Sequence, residues 1–224
     1  MRAWFDLHEG GIRLYSIMGL IVSTVWGFSG GSAWAIDTNL KMEEARKTLE
    51  LGRMPMEKAN TPEEVKKVMQ QASVATRVGS DPEKDPCGAS AVLRTKRYRL
   101  EAFGRQEAVE SKKQKKDIRM PDEFIQKVIE MPNMEVEVQL CGDDEYFAEG
   151  VKVAFQQGSK TINPIDVSPA ERGRKNEGLG APYRSRFTAR FAYESFDPNA
   201  KTKVVIFYPD GKIVEFEADF SKVK

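Results

Sequence analysis

Four stretches of this chain alternate apolar and polar side chains with a period of two, and this constrains the fold more than any other feature. Met134, Val136, Val138 and Leu140 are separated by Glu135, Glu137 and Gln139. Val151, Val153 and Phe155 continue the rule, then Phe187, Ala189, Phe191 and Tyr193, then Val214, Phe216, Ala218 and Phe220 opposite Glu215, Glu217 and Asp219. Successive strand side chains point to opposite faces, so each stretch reads as a strand with one buried and one wet face. The acidic turn between Gly142 and Glu149 suggests that the first two strands pair as a hairpin. At the C-terminus, residues 204–208 and the Phe216 stretch flank Pro209, Asp210 and Gly211, a tight hairpin turn. Residues 91–100 read as a further strand. Pro121, Asp122 and Glu123 open one short helix whose apolar face is Phe124, Ile125, Val128 and Ile129. The fold class is therefore mainly β with α: an antiparallel β-sandwich, immunoglobulin-like or transthyretin-like in build, over residues 87–224 with one inserted short helix.

An N-terminal helical hairpin precedes the sandwich in residues 36–80, built from helices at residues 38–54 and 61–78. The second has a clear start: Thr61 supplies a capping hydroxyl, Pro62 needs no amide partner, and Glu64 reaches back to the cap. Val65, Val68, Met69, Ala72 and Ala75 then share one face, and Gly79 with Pro82 ends the run. Such a stripe calls for a packing partner, and the hairpin is expected to dock on the sandwich through a polar linker at residues 81–86.

Before Ile36, no charged residue occurs from Leu14 onward. The apolar part ends in Ser29, Gly30, Gly31 and Ser32, and Ala33 and Ala35 supply the small residues a signal peptidase accepts, so residues 1–35 read as a signal peptide cleaved after Ala35. Three glycines and three serines from Ser23 to Ser32 weaken the competing reading of a retained membrane anchor. No integral membrane segment is expected after cleavage, and the chain is expected to be periplasmic or secreted. Cys87 and Cys141 both lie in the exported part, where an oxidising compartment favours a disulfide over a metal site.

The only histidine, His8, lies in the leader. The exported chain thus lacks the imidazole of Ser-His-Asp and Cys-His machinery and of histidine-ligated zinc. No catalytic residue, metal ligand or cofactor is assigned. Asp143, Asp144 and Glu145 read as a solvated turn rather than a carboxylate pair or a calcium loop, which has a different spacing. Asp197, Pro198 and Asn199 read as another turn. With 35 Lys plus Arg against 34 Asp plus Glu, no global field draws the chain to nucleic acid.

The charge is nevertheless segregated. Residues 91–119 carry ten basic residues against four acids, residues 121–150 nine acids against one lysine, and residues 168–190 six basic residues against two acids. One reading has the acidic strands neutralising the basic ones across the fold. The sharper one makes residues 157–186 a long basic loop that binds an anionic ligand through Arg172, Arg174, Lys175, Arg184, Arg186 and Arg190, with the run Lys112, Lys113, Lys115 and Lys116 extending the surface. The expected function is that of an exported, non-enzymatic envelope module, binding or structural, whose partner is an envelope protein or an anionic envelope component. The alternatives are a carboxylate-dependent hydrolase of envelope polysaccharide and an accessory subunit of an envelope complex.

Overall fold

Residues 36–81, 83–176 and 182–223 are described by a computed structural model. The expected leader and its cleavage site, Ala33 and Ala35, lie outside the described residues.

Two antiparallel sheets face each other. The first has the order β1 (Arg77–Gly79), β2 (Ser90–Arg94), β3 (Asn133–Gly142), β8 (Tyr183–Ala192) and β6 (Asp166–Val167), with β7 (Arg174–Lys175) also paired to β8. The second has the order β10 (Ile213–Asp219), β9 (Lys201–Phe207), β4 (Lys152–Gln157) and β5 (Lys160–Ile162). The alternating residues do what their period requires: Met134, Val136, Val138 and Leu140 meet Val153, Phe155, Val204 and Ile206 in one dry core. Phe155 stacks on Phe191 with ring centroids 3.8 Å apart and takes the edge of Phe220 at 5.2 Å. The structure is thus an antiparallel β-sandwich with helices ahead of and within it. The C-terminal hairpin has the expected register, with Phe216 half-buried and Phe220 fully buried. Gly211 takes φ +87° in its turn, and Tyr208 and Lys212 close it through a 2.9 Å backbone hydrogen bond.

Several local expectations are corrected. The Val136 and Val153 strands do not form a hairpin, because β3 pairs with β2 and β8 while β4 pairs with β9 and β5 in the opposite sheet. Alternation dictates which face is buried and is silent on the neighbour. The strand expected over residues 91–100 stops at Arg94. Thr95 then caps a long helix, α3 (Lys96–Gln114), by accepting from the Tyr98 amide at 3.1 Å, so two helices are inserted rather than one. The second is the expected one, α4 (Asp122–Ile129).

Ahead of the sandwich stand α1 (Met42–Lys58) and α2 (Pro62–Val74). The Thr61 and Glu64 capping box forms as read, but the helix ends at Val74 and its apolar stripe buries no residue. Arg77–Gly79, expected at the helix end, adds an edge strand to the first sheet. The partner of α1 is α3. The two helices cross where a glycine of each lies on the other's backbone: a Cβ at Gly52 would fall on the Glu101 carbonyl, and one at Gly104 on the Leu49 carbonyl. Leu40, Ala45, Leu49 and Leu100 pack around the crossing with Ile125 and Val128 of α4. Beside it the buried Arg53 guanidinium bonds Glu57 and Asp117 at 2.5 Å and the Ile118 carbonyl at 2.8 Å. Lys96 is also buried, donating to the carbonyls of Thr38 at 2.7 Å and Ile129 at 2.5 Å, and burial pushes its pKa down. Such satisfied partners are what make buried cations tolerable.

Candidate anion groove on the outer sheet face

The outer face of the first sheet is where the basic residues come together, and strand register makes it readable as rows. In one row Arg94, Glu135, Arg190 and Asp166 lie side by side on β2, β3, β8 and β6. Charges alternate, and the ion pairs follow: Arg190 lies 4.0 Å from Glu135 and 3.5 Å from Asp166, and Arg94 lies 3.7 Å from Glu135, which also takes Arg99 at 2.5 Å. The next outward row holds Arg77, Val92, Glu137 and Thr188. Glu137 bonds Arg94 closely and Arg186 at 3.9 Å. The row after that holds Ser90, Gln139 and Arg186. The last holds Cys141, Arg184 and Arg174, with no acid at all.

The face thus passes from neutral to uncompensated along the strands. Arg184 and Arg174 are directly opposite each other on β8 and β7, an arrangement of like charges that is destabilising by itself. Arg184 makes no ion pair among the described residues; its Nη2 donates to the Pro86 carbonyl at 3.1 Å, and its buried Nε has no hydrogen-bond partner. Among the described residues Arg174 pairs only with Glu171, at 3.8 Å. Crowding extends to Arg77 on the edge strand: burial lowers its pKa, Glu137 opposes the shift, and Arg186 and Arg184 add to it.

Around this last row lies a groove of about 320 Å³ lined by Glu171, Arg174, Lys175, Asn176, Arg184 and Arg186. Its wall is pinned by the Cys87–Cys141 disulfide, which has a Cα separation of 5.3 Å. The Asn176 amide nitrogen contacts Cys87 Sγ at 3.1 Å, and the Pro86 carbonyl that holds Arg184 is the residue before Cys87.

Of the six basic residues singled out from the sequence, Arg174, Lys175, Arg184 and Arg186 are brought together here. The other two are placed elsewhere. Arg172 turns to Glu145, with Nη2 2.5 Å and Nε 2.8 Å from one carboxylate oxygen, and lies 5.4 Å from the Tyr146 ring centroid. That hydrogen bond raises the Arg172 pKa. Arg190 belongs to the alternating row. Nor are residues 157–186 one open loop, since they contain β5, β6, β7 and the start of β8. The lysine run does not extend the surface: Lys112 and Lys113 lie in the last turn of α3, and Lys112 donates to the Met56 and Ala59 carbonyls at the end of α1. Asn176, Glu171 and the Pro86 carbonyl had no signal in the sequence, because only register and the disulfide bring them to the groove.

The acidic turn holds no converging pair. Glu145 serves Arg172, and Asp144 accepts from the Tyr146 amide at 2.7 Å. Asp197 closes its own turn by accepting from the Asn199 amide at 2.8 Å. Among the described residues, no group of three or more histidine, cysteine or acidic side chains could hold a metal ion. A second concavity, about 770 Å³, is apolar; Leu49, Leu51, Met54, Met120 and Ile125 line it, and Glu43, Glu50 and Asp122 at its rim are each bound to a cation. No helix of the described residues is long and apolar enough to cross a membrane.

No protein-family model matches the chain, and no curated protein matches it. Among solved structures, IgNAR antibody domain C3 aligns at a TM-score of 0.27 and 12% identity, covering 42% of this chain and 83% of that one. IgNAR antibody domain C1 aligns at 0.27 and 11%, covering 39% and 76%. The archaellum periplasmic stator protein FlaG from Sulfolobus acidocaldarius aligns at 0.25 and 11%, covering 39% and 86%. Likeness at this level says nothing of activity.

Proposed function

We propose that this chain is an exported, non-enzymatic envelope module that binds an anionic component through the groove of Arg174, Lys175, Arg184 and Arg186. The carrying observation is the acid-free row Cys141, Arg184, Arg174, at the end of a sheet face whose opposite end alternates cation and anion. Where the fold has acids to spare it uses them. Where it leaves guanidinium groups facing one another, the missing negative charge is supplied from outside.

Several features support the setting. The disulfide suits an oxidising compartment, the uncharged stretch ending at Ala35 suits a cleaved leader, and the absence of histidine after His8 removes the usual bases of hydrolytic enzymes. The test is co-sedimentation with anionic vesicles and with purified peptidoglycan, comparing the protein with a variant carrying Arg174→Gln, Arg184→Gln and Arg186→Gln. Binding should be lost in the variant and weakened by salt, since exposed charges are screened over about 8 Å at physiological ionic strength. Equal binding by both proteins, or none by either, overturns the proposal. A second reading, a subunit of a larger envelope assembly, is favoured by α2, which buries no residue, and by the apolar groove on α1 and α4. A native particle the size of one chain would count against it.

A further inference from the structure

We infer that the groove is a phosphoryl site, taking a group with three free oxygens between Arg174 and Arg184 on adjacent strands, with Arg186 beyond them. The inference rests on the groove reading above and narrows its ligand. A planar carboxylate brings two oxygens and a single negative charge. Here three forks and the Lys175 ammonium share one rim, and the only acid among the described residues that line it is Glu171, already beside Arg174. One carboxylate would leave most of that charge uncompensated. A phosphomonoester brings close to two negative charges and three acceptor oxygens to a single point.

The exposure of the side chains fits the same ligand. Arg184 is fixed by the Pro86 carbonyl beside the disulfide. The side chains of Arg174 and Arg186 are 85% and 50% exposed, and among the described residues each has only a long ion pair, at 3.8 Å and 3.9 Å. One anchored fork with two adjustable ones can close on a tetrahedral group from three sides. The described residues that line the groove are all polar or charged, so selectivity rests on the charged group more than on what carries it.

A phosphomonoester could be part of a lipid or of a soluble molecule, and pH separates phosphoryl from carboxylate in either case. The second phosphate pKa is near 6, so the dianion fraction rises about tenfold between pH 5 and 7.5. Guanidinium groups do not titrate there, and a carboxylate ligand is already ionised. The experiment titrates the protein with glycerol phosphate and with tartrate, a dicarboxylate already largely ionised at the lower pH, at pH 5 and 7.5. In parallel it measures binding to vesicles carrying phosphatidic acid, a monoester, or phosphatidylglycerol, a diester of fixed charge.

The expected result is glycerol phosphate affinity rising several-fold to about tenfold over that range, preference for phosphatidic acid over phosphatidylglycerol, and loss of both in Arg184→Gln. Arg174→Gln, at a position 85% exposed, repeats the test should Arg184→Gln fail to fold. Binding of phosphatidic acid vesicles without glycerol phosphate supports the inference for a lipid source, and binding of both supports it for either. Tartrate binding as tight as glycerol phosphate, with a flat pH profile for both, overturns the phosphoryl inference and leaves the anion groove standing. Binding of no anion at all removes both.

Discussion

Replacing Gly104 by alanine puts two opposing effects of known size against each other. An alanine inside a helix is favoured over glycine by about 0.8–1.0 kcal/mol, so propensity alone predicts stabilisation. The structure predicts the reverse. The new methyl group would overlap the Leu49 carbonyl oxygen and lie 2.9 Å from its carbon and 3.0 Å from the Arg53 nitrogen, all backbone atoms that cannot swing aside. To admit it, α1 and α3 must part by roughly an ångström, and a gap of that order forfeits about a quarter to a half of each affected dispersion contact. Overpacking of this kind costs about 1–3 kcal/mol, and here the interface also carries the buried Arg53 bonds, so the upper end applies. After the propensity gain, Gly104→Ala should destabilise by about 2 kcal/mol. For a domain of this size class, that lowers Tm by about 4–8 °C. Urea unfolding with constant m value is the assay. A variant as stable as the parent, or more so, would show that the helices do not cross at this glycine.

Phe220→Ala should cost about 3–5 kcal/mol because the ring is fully buried against Phe155 and Phe196. Phe216→Ala, half-buried on β10, should cost about 1–2 kcal/mol; equal losses in denaturant unfolding would contradict this burial order. Replacing Cys87 and Cys141 by alanine removes a cross-link between residues 54 apart, worth about 4 kcal/mol in the chain-entropy account. An unchanged midpoint in non-reducing denaturant would refute that. Glu64 is held below its ordinary value of 4.5 by the amides of Asn60 and Thr61, so its contribution is present above that pH and lost as pH falls through the lowered value. Thermal melts between pH 6 and 3 should show Glu64→Gln losing less stability than the parent, and parallel profiles would refute this.

Legibility in the sequence followed the wetness of each element. β3 and β10 each have one solvated face, so alternation declared them and their buried sides. α3 escaped because its hidden positions include Lys96, Arg105 and Glu107. A buried Lys96 satisfied by the carbonyls of Thr38 and Ile129, both far off in the chain, leaves no apolar period to read. The pairing of β3 and β4 failed for another reason: strands that line one core from opposite sheets carry the same pattern as strands that pair. In the groove, the density of arginines was visible, but which ones are neutralised depends on register. Arg190 and Arg184 look alike in the sequence; three rows apart on β8, one faces Glu135 and the other Cys141.

The burial of Ile36 has a consequence for the order of events in biogenesis. Its side chain is 2% exposed and belongs to the sandwich core, among strands that come from the far end of the chain. A peptidase cutting between Ala35 and Ile36 needs several residues on both sides of the bond laid out in its cleft. Once the core has closed around Ile36, the downstream side of that bond is out of reach. If residues 1–35 are the leader proposed above, cut after Ala35, its removal has to precede completion of the sandwich.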